Sequence, residues 1–104
     1  YATANAPAGA TIKEFQGADD LFAALSSGQI DAVLQDYPVN AYRVVKNPQQ
    51  FVVTQKITTG EQYGLATAKG NDQLTAALDA ALAQAKSDGT YDQIYTTWFG
   101  QKQQ

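Results

Sequence analysis

Apolar side chains along the 104-residue chain either recur every three or four residues, which predicts a helix, or cluster in short runs, which predict β-strands. Repeats of three and four residues, such as Leu21, Phe22 and Leu25, place apolar groups on one face of a helix. The Ala-rich start resembles the end of another helix, which Pro7 then breaks. The predicted helices cover residues 1–5, 18–27, 38–48, 71–88 and 90–100.

Residues with special backbone preferences mark where these helices begin and end. Gly28 is predicted to adopt the left-handed conformation that commonly follows a helix, and Gly89 is predicted to end the longest helix. Asn71 is predicted to cap the first turn of the longest helix. Thr90 and Gln93 match a capping box, in which the Thr90 side chain would cap the last helix.

Four shorter segments, at 11–15, 30–35, 51–57 and 63–68, predict β-strands. The segment 30–35 is almost continuously apolar, which is typical of a parallel-sheet strand covered on both faces. Strands that alternate with helices favour a largely parallel α/β sheet. The second half offers one strand and two amphipathic helices, so we expect it to need further structure to cover both helix faces.

Charge and composition argue against several classes of function. Seven basic and ten acidic residues give a net charge of −3, which provides no basic patch for a nucleic acid. The chain has no Cys and no His, which argues against zinc, haem and iron–sulfur sites and against Cys or Ser-His-Asp catalysis. We therefore expect no metal, no cofactor and no catalytic residues.

No apolar run in the sequence is long enough to span a membrane. The chain opens at Tyr1 without an initiator Met or a signal peptide. We interpret the sequence as a fragment of a longer precursor.

Three motifs resemble segments of one known family, in the family's order and spacing. SSGQIDAVLQDYPV (26–39) resembles the point where a helix leads into a strand that ends in Asp-x-Pro. YGLATAKGNDQL (63–74) resembles the strand that returns between two lobes, and KSDGTYDQIYTTWFG (86–100) resembles the closing helix pair. The resemblance covers essentially the whole chain and points to bacterial extracytoplasmic solute-binding proteins of ABC importers, near the glutamine- and polar amino-acid-binding proteins.

The resemblance implies an α/β fold of the type 2 periplasmic-binding-protein kind, present in part. Residues 1–58 would form most of the second lobe without its first strand. Residues 59–104 would supply the return strand and the C-terminal helices of the first lobe. The implied function is to bind a polar amino acid without chemistry and deliver it to a membrane permease. The implied location is the periplasm or the outer face of the cell membrane, with or without a lipid anchor.

The resemblance also places a ligand site. The family's Asp-x-Pro aspartate binds the ammonium group of the ligand, and it falls on Asp36. Asp36 follows the predicted central strand, and open α/β sheets bind ligands beyond the carboxyl ends of their strands. The alternative is that Asp36 only caps the helix at Pro38. Gln35 is a second ligand candidate through its amide, or else it points into the packing of its own lobe.

Other polar and aromatic residues have plainer interpretations. Asp31, within the same apolar segment, is expected to have a hydrogen-bonded structural role. Arg43 is the only arginine, and we expect it on a helix surface, because the family's carboxylate-binding arginine belongs to a part of the first lobe outside this chain. Tyr91, Tyr95 and Trp98 form a stripe that we expect to pack as core.

Two other functions are left open by the sequence. A dehydratase or lytic enzyme on the same fold needs a general acid or base, for which Asp36 is the only candidate. The ligand-sensing domain of a receptor should continue beyond the final helix, whereas this chain ends four residues after WFG. We also expect exposed apolar helix faces to drive association, as in a domain-swapped homodimer.

Overall fold

Every regular element in the described part of the protein is a helix. The computed structural model describes residues 1–101. All the helices observed there were predicted, and each end lies within two residues of its predicted position. They are α1 (Ala2–Asn5), α2 (Ala18–Ser26), α3 (Tyr37–Lys46), α4 (Asp72–Ser87) and α5 (Thr90–Phe99).

The chain divides into two compact units, Tyr1–Asn40 and Ala41–Gln104. The division falls inside α3, so this helix contributes its first turn to one unit and the rest to the other. The predicted lobe boundary between residues 58 and 59 stays a prediction.

Helix α2 ends with the glycine signal that the sequence predicted. Gly28 has a φ of +75°, in the left-handed region that favours glycine. Its N–H donates to the Leu25 carbonyl at 3.1 Å, and the Gln29 N–H donates to the Ala24 carbonyl at 2.9 Å. This pair of bonds is the Schellman motif, which satisfies carbonyls that the helix itself leaves unpaired. Lys13 Nζ then donates to the Gln29 carbonyl at 2.9 Å.

The junction between α4 and α5 confirms one predicted cap and corrects another. Asn71 caps α4, because its side-chain oxygen accepts from the Leu74 N–H at 3.2 Å. The capping box at Thr90 is wrong: Thr90 is the first residue of α5, and Gly89 is the N-cap with a φ of +83°. Asp88 serves the turn instead, because its Oδ1 accepts from the Thr90 N–H at 2.9 Å. Hydrogen bonds from the Thr90 side chain and backbone lower the pKa of Asp88.

None of the four predicted strands forms within residues 1–101, so the predicted sheet is absent from the described structure. A helix pairs its backbone groups within its own segment, whereas a strand needs a neighbouring strand for every hydrogen bond. No side chain in these segments is fully buried, and Leu34, Leu65 and Val52 are 53%, 71% and 75% exposed. The helices of the α/β prediction are therefore confirmed, and its sheet is not formed by residues 1–101 alone.

Few side chains are fully buried. Among the described residues the buried apolar side chains are Phe22 and Ala24 in α2 and Ala41 in α3. Helices α4 and α5 contact each other, yet neither contains a buried residue. Trp98 is 49% exposed. The expectation that the α5 aromatic stripe forms a core is therefore not met, because the described chain has too little structure to cover it.

Candidate functional site

Asp36 lies at the corner where an irregular segment leads into α3. Its carboxylate is exposed and forms no hydrogen bond or ion pair with any residue of 1–101. The Asp36 backbone carbonyl accepts from the N–H groups of Val39 at 3.1 Å and Asn40 at 3.3 Å, so the residue begins the helix through its backbone alone. A helix N-terminus favours negative charge nearby. The side-chain capping alternative is not observed, and ligand binding by Asp36 stays a prediction.

Asn40 ties this corner together from the first turns of α3. Its side-chain Nδ2 donates to the Gln35 carbonyl at 3.4 Å, a long hydrogen bond in a partly buried position. Its backbone N–H donates to the Asp36 carbonyl at 3.3 Å. One residue thus holds two consecutive carbonyls. The sequence interpretation missed Asn40, although an Asn in a first helical turn often binds a nearby backbone carbonyl.

Gln35 is half-buried, and its side-chain Nε2 has neither solvent contact nor a hydrogen-bond partner. The Oδ1 of Asn40 is in the same condition. An unpaired buried amide donor or acceptor costs about 1–3 kcal/mol, so both atoms favour a polar partner. Whether Gln35 contacts a ligand stays a prediction.

The remaining polar candidates behave differently from one another. Asp31 is exposed and makes no hydrogen bond with other described residues, so its expected hydrogen-bonded structural role is not observed. Arg43 is half-buried in the last turn of α3, and its carbonyl accepts from the Asn47 side chain at 3.3 Å. Arg43 is therefore less exposed than the predicted surface position.

The second unit carries an open groove of about 370 Å³ along α4. Its walls combine apolar Leu65, Leu78 and Leu82 with the charged side chains of Asp79 and Lys86. Lys86 Nζ lies 5.7 Å from the centre of the Tyr91 ring, within the range of a cation–π contact. The exposed lining of the groove is mostly apolar, and it also includes the hydroxyl groups of Thr67 and Thr75.

Residues 1–101 contain no group of three His, Cys, Asp or Glu side chains arranged to hold a metal ion. None of the helices described is long and apolar enough to cross a membrane.

Comparison with known proteins identifies one family. The family model of the bacterial extracellular solute-binding proteins, family 3, matches residues 9–101. The ABC transporter glutamine-binding protein GlnH of Bacillus subtilis is 38% identical over 89 residues, which are 86% of this chain and 32% of GlnH. No solved structure gives a significant match.

Two further relatives carry other amino acids in their names. The ABC transporter arginine-binding protein 1 of Escherichia coli is 38% identical over 77% of this chain and 35% of its own length. The histidine-binding periplasmic protein of Salmonella typhimurium is 31% identical over 90% of this chain and 39% of its own length. The chain thus spans between 32% and 39% of these three relatives.

These matches confirm the resemblance drawn from the three motifs. Family membership implies a type 2 periplasmic-binding-protein fold, and the three named relatives are amino-acid-binding proteins, two of them named as parts of ABC transporters. Because the family model covers residues 9–101 of 104, this chain belongs to the bacterial extracellular solute-binding proteins, family 3.

Proposed function

We propose that the protein is the amino-acid receptor of an ABC importer, which binds a polar amino acid and does not transform it. The family match and relatives named for glutamine, arginine and histidine binding support this function. Absence of His and Cys from the chain also removes the commonest nucleophile and base arrangements.

Asp36 carries the binding function in this proposal by accepting a hydrogen bond from the α-ammonium group of the ligand. The observation that carries this assignment is an exposed carboxylate without a partner among the described residues, on a backbone held in place. A carboxylate already paired within the protein would have to exchange one partner for another. Charge-assisted hydrogen bonds between a carboxylate and an ammonium are roughly twice as strong as neutral ones.

Gln35 supplies a second contact, to the ligand side chain. The support for this role is its buried and unpaired Nε2, one residue before Asp36. An amide gains most from a partner when solvent does not reach it, because it has no water to give up.

The place and partners of the receptor follow from the same proposal. The protein works outside the cytoplasmic membrane and delivers the bound amino acid to the permease of the importer. The 104-residue chain by itself exposes the apolar groove along α4, and we infer that isolated copies associate through this face.

Calorimetric titration of the intact protein with the common amino acids tests the proposed function. We expect saturable 1:1 binding of one or a few polar amino acids at micromolar or lower concentration. If none of the amino acids binds at millimolar concentration, the receptor function is wrong.

A further inference from the structure

We propose that Asn40 is a positioning residue for the ligand site: it fixes the direction in which Asp36 presents its carboxylate, without contacting the ligand itself. This inference rests on the proposed binding of an ammonium group by Asp36. It adds a residue that neither the family's Asp-x-Pro motif nor the relatives' names indicate.

Asn40 bonds the peptide groups on both sides of Asp36. Its Nδ2 donates to the Gln35 carbonyl at 3.4 Å, and its N–H donates to the Asp36 carbonyl at 3.3 Å. The carbonyl of Gln35 belongs to the peptide group that leads into Asp36, and the carbonyl of Asp36 belongs to the next one. Fixing both carbonyls restrains the two backbone torsions of Asp36, and these torsions set the direction of its Cα–Cβ bond.

Backbone restraint matters here because the Asp36 side chain has no other support among the described residues. Its carboxylate is exposed and makes no contact that would select one orientation. A binding group needs to be held close to its productive geometry, since freedom lost on binding weakens affinity. The backbone bonds from α3 are therefore the means by which this corner pre-orients the carboxylate.

The buried Oδ1 of Asn40 argues against a purely structural role, because it lowers the net contribution of this side chain to stability. Its Oδ1 is buried and unpaired, so a Leu of similar shape at this position removes an unsatisfied atom together with a useful donor. The two effects on stability oppose each other. We therefore expect Asn40→Leu to change the stability of the fold little while it loosens the corner.

Asn47 offers a matched control just beyond the other end of the same helix. Its Nδ2 donates to the Arg43 carbonyl four residues earlier at 3.3 Å, and Asn47 is half-buried like Asn40. Asn47→Leu removes a bond of the same kind and length that does not involve Gln35 or Asp36.

The test measures the dissociation constant of the intact protein for its amino acid by calorimetry, with thermal unfolding as the second readout. We expect Asn40→Leu to weaken binding about 3- to 10-fold, the loss of one hydrogen bond's worth of restraint. Asn47→Leu should leave the dissociation constant within about twofold of the unsubstituted protein. Equal losses in both variants would overturn the positioning role.

A third variant separates positioning from electrostatics. Asn40→Asp replaces the donor that faces the Gln35 carbonyl with an acceptor. Its negative charge is stabilised by the helix N-terminus and attracts an approaching ammonium group. An electrostatic or helix-stabilising role predicts equal or tighter binding, whereas the positioning role predicts weaker binding. Tighter binding by Asn40→Asp would overturn the inference.

The double variant Asn40→Leu with Asp36→Asn tests whether Asn40 acts through Asp36. If Asn40 acts through Asp36, then Asn40→Leu causes less than about a twofold further loss in the Asp36→Asn protein. A full additional loss in that background would mean that Asn40 acts elsewhere. If the unsubstituted protein binds no amino acid, the proposed function fails together with this inference. If the unsubstituted protein binds an amino acid and Asn40→Leu binds it equally well, only the positioning role of Asn40 is overturned.

Discussion

The Gln35–Asn40 corner and the α4–α5 helix pair differ in what their side chains lack: hydrogen-bond partners in the corner and burial in the helix pair. The corner holds two backbone carbonyls through Asn40, while an exposed carboxylate and two buried amide atoms have no partner. The α4–α5 pair has side-chain hydrogen bonds at the starts of both helices, but none of its apolar side chains is fully buried. Unpaired polar groups on a fixed backbone are typical of a binding site. Uncovered apolar groups on stable helices are typical of a surface that needs another protein segment.

Removing the negative charge of Asp36 from the corner is expected to have the largest effect on binding. We expect Asp36→Ala to weaken binding of the amino acid more than about 30-fold, because it removes the carboxylate that accepts the charge-assisted hydrogen bond from the ammonium group. Asp31→Ala is the matched control, since Asp31 is also exposed and also lacks a partner among residues 1–101. Its dissociation constant should stay within about twofold. Equal losses from both variants would indicate a general effect of negative charge.

The apolar side of the comparison is tested in the isolated 104-residue chain. Leu65 lines the α4 groove and is 71% exposed. If copies associate through this groove, Leu65→Ser should raise the dissociation constant of self-association about tenfold or more, because burying a Leu side chain contributes about 1.5–3 kcal/mol. Sedimentation velocity over a concentration series measures the change.

Val52→Ser is the control for that experiment. Val52 is 75% exposed and does not line the groove. It should leave self-association nearly unchanged. A chain that stays monomeric at high concentration, or equal effects of the two Ser variants, would contradict association through the groove.

The helix signals themselves give a smaller and purely local effect. Asn71→Ala removes the bond from the Leu74 N–H to the Asn71 side chain, and we expect the free energy of unfolding to fall by about 1 kcal/mol. Chemical denaturation of the intact protein measures this loss. Asn5→Ala, which removes an exposed hydrogen bond from the last residue of the short helix α1 to the Tyr1 carbonyl, should lower the free energy of unfolding by less. An Asn71→Ala protein as stable as its parent would show that the cap is unimportant.

The smallest effect concerns the pH dependence of the α4–α5 turn. The pKa of Asp88 is lowered by its hydrogen bonds to Thr90, so the ionised form is favoured in the folded state. Its contribution is present above the unfolded pKa of about 3.9 and is lost as the pH falls through the lowered folded value. Denaturation between pH 6 and 2 should therefore show a steeper loss of stability for the parent than for Asp88→Asn. Identical pH profiles would remove this assignment.

Local signals in the sequence were enough to predict the helices. The cap at Asn71 and the left-handed Gly28 depend on residues within a few positions, and both are confirmed. The error at Thr90 was also local: the preceding glycine took the N-cap position, and Asp88 supplied the side-chain acceptor. Such competition between neighbouring caps is not resolved by a motif alone.

Features that depend on distant residues were predicted less well than the helices and their caps. The segment 30–35 has the composition of a buried strand, yet the described chain provides no neighbouring strand for it, and Leu34 stays 53% exposed. At the site, the motif located Asp36 and Gln35, while Asn40 became visible only once the helix brought its amide back to the Gln35 carbonyl. The motif gives the candidate carboxylate of Asp36, and the fold adds a neighbouring residue, Asn40, whose amide donates to the Gln35 carbonyl.

The role of Asp36 is tested by comparing the binding of an amino acid with that of its analogue that lacks the α-ammonium group. Both would be titrated into the intact protein and into its Asp36→Asn variant. We expect the intact protein to prefer the amino acid by more than about 30-fold, and the preference to collapse to a few-fold in the variant. An undiminished preference in Asp36→Asn would show that another group binds the ammonium, and the assignment of Asp36 would be wrong.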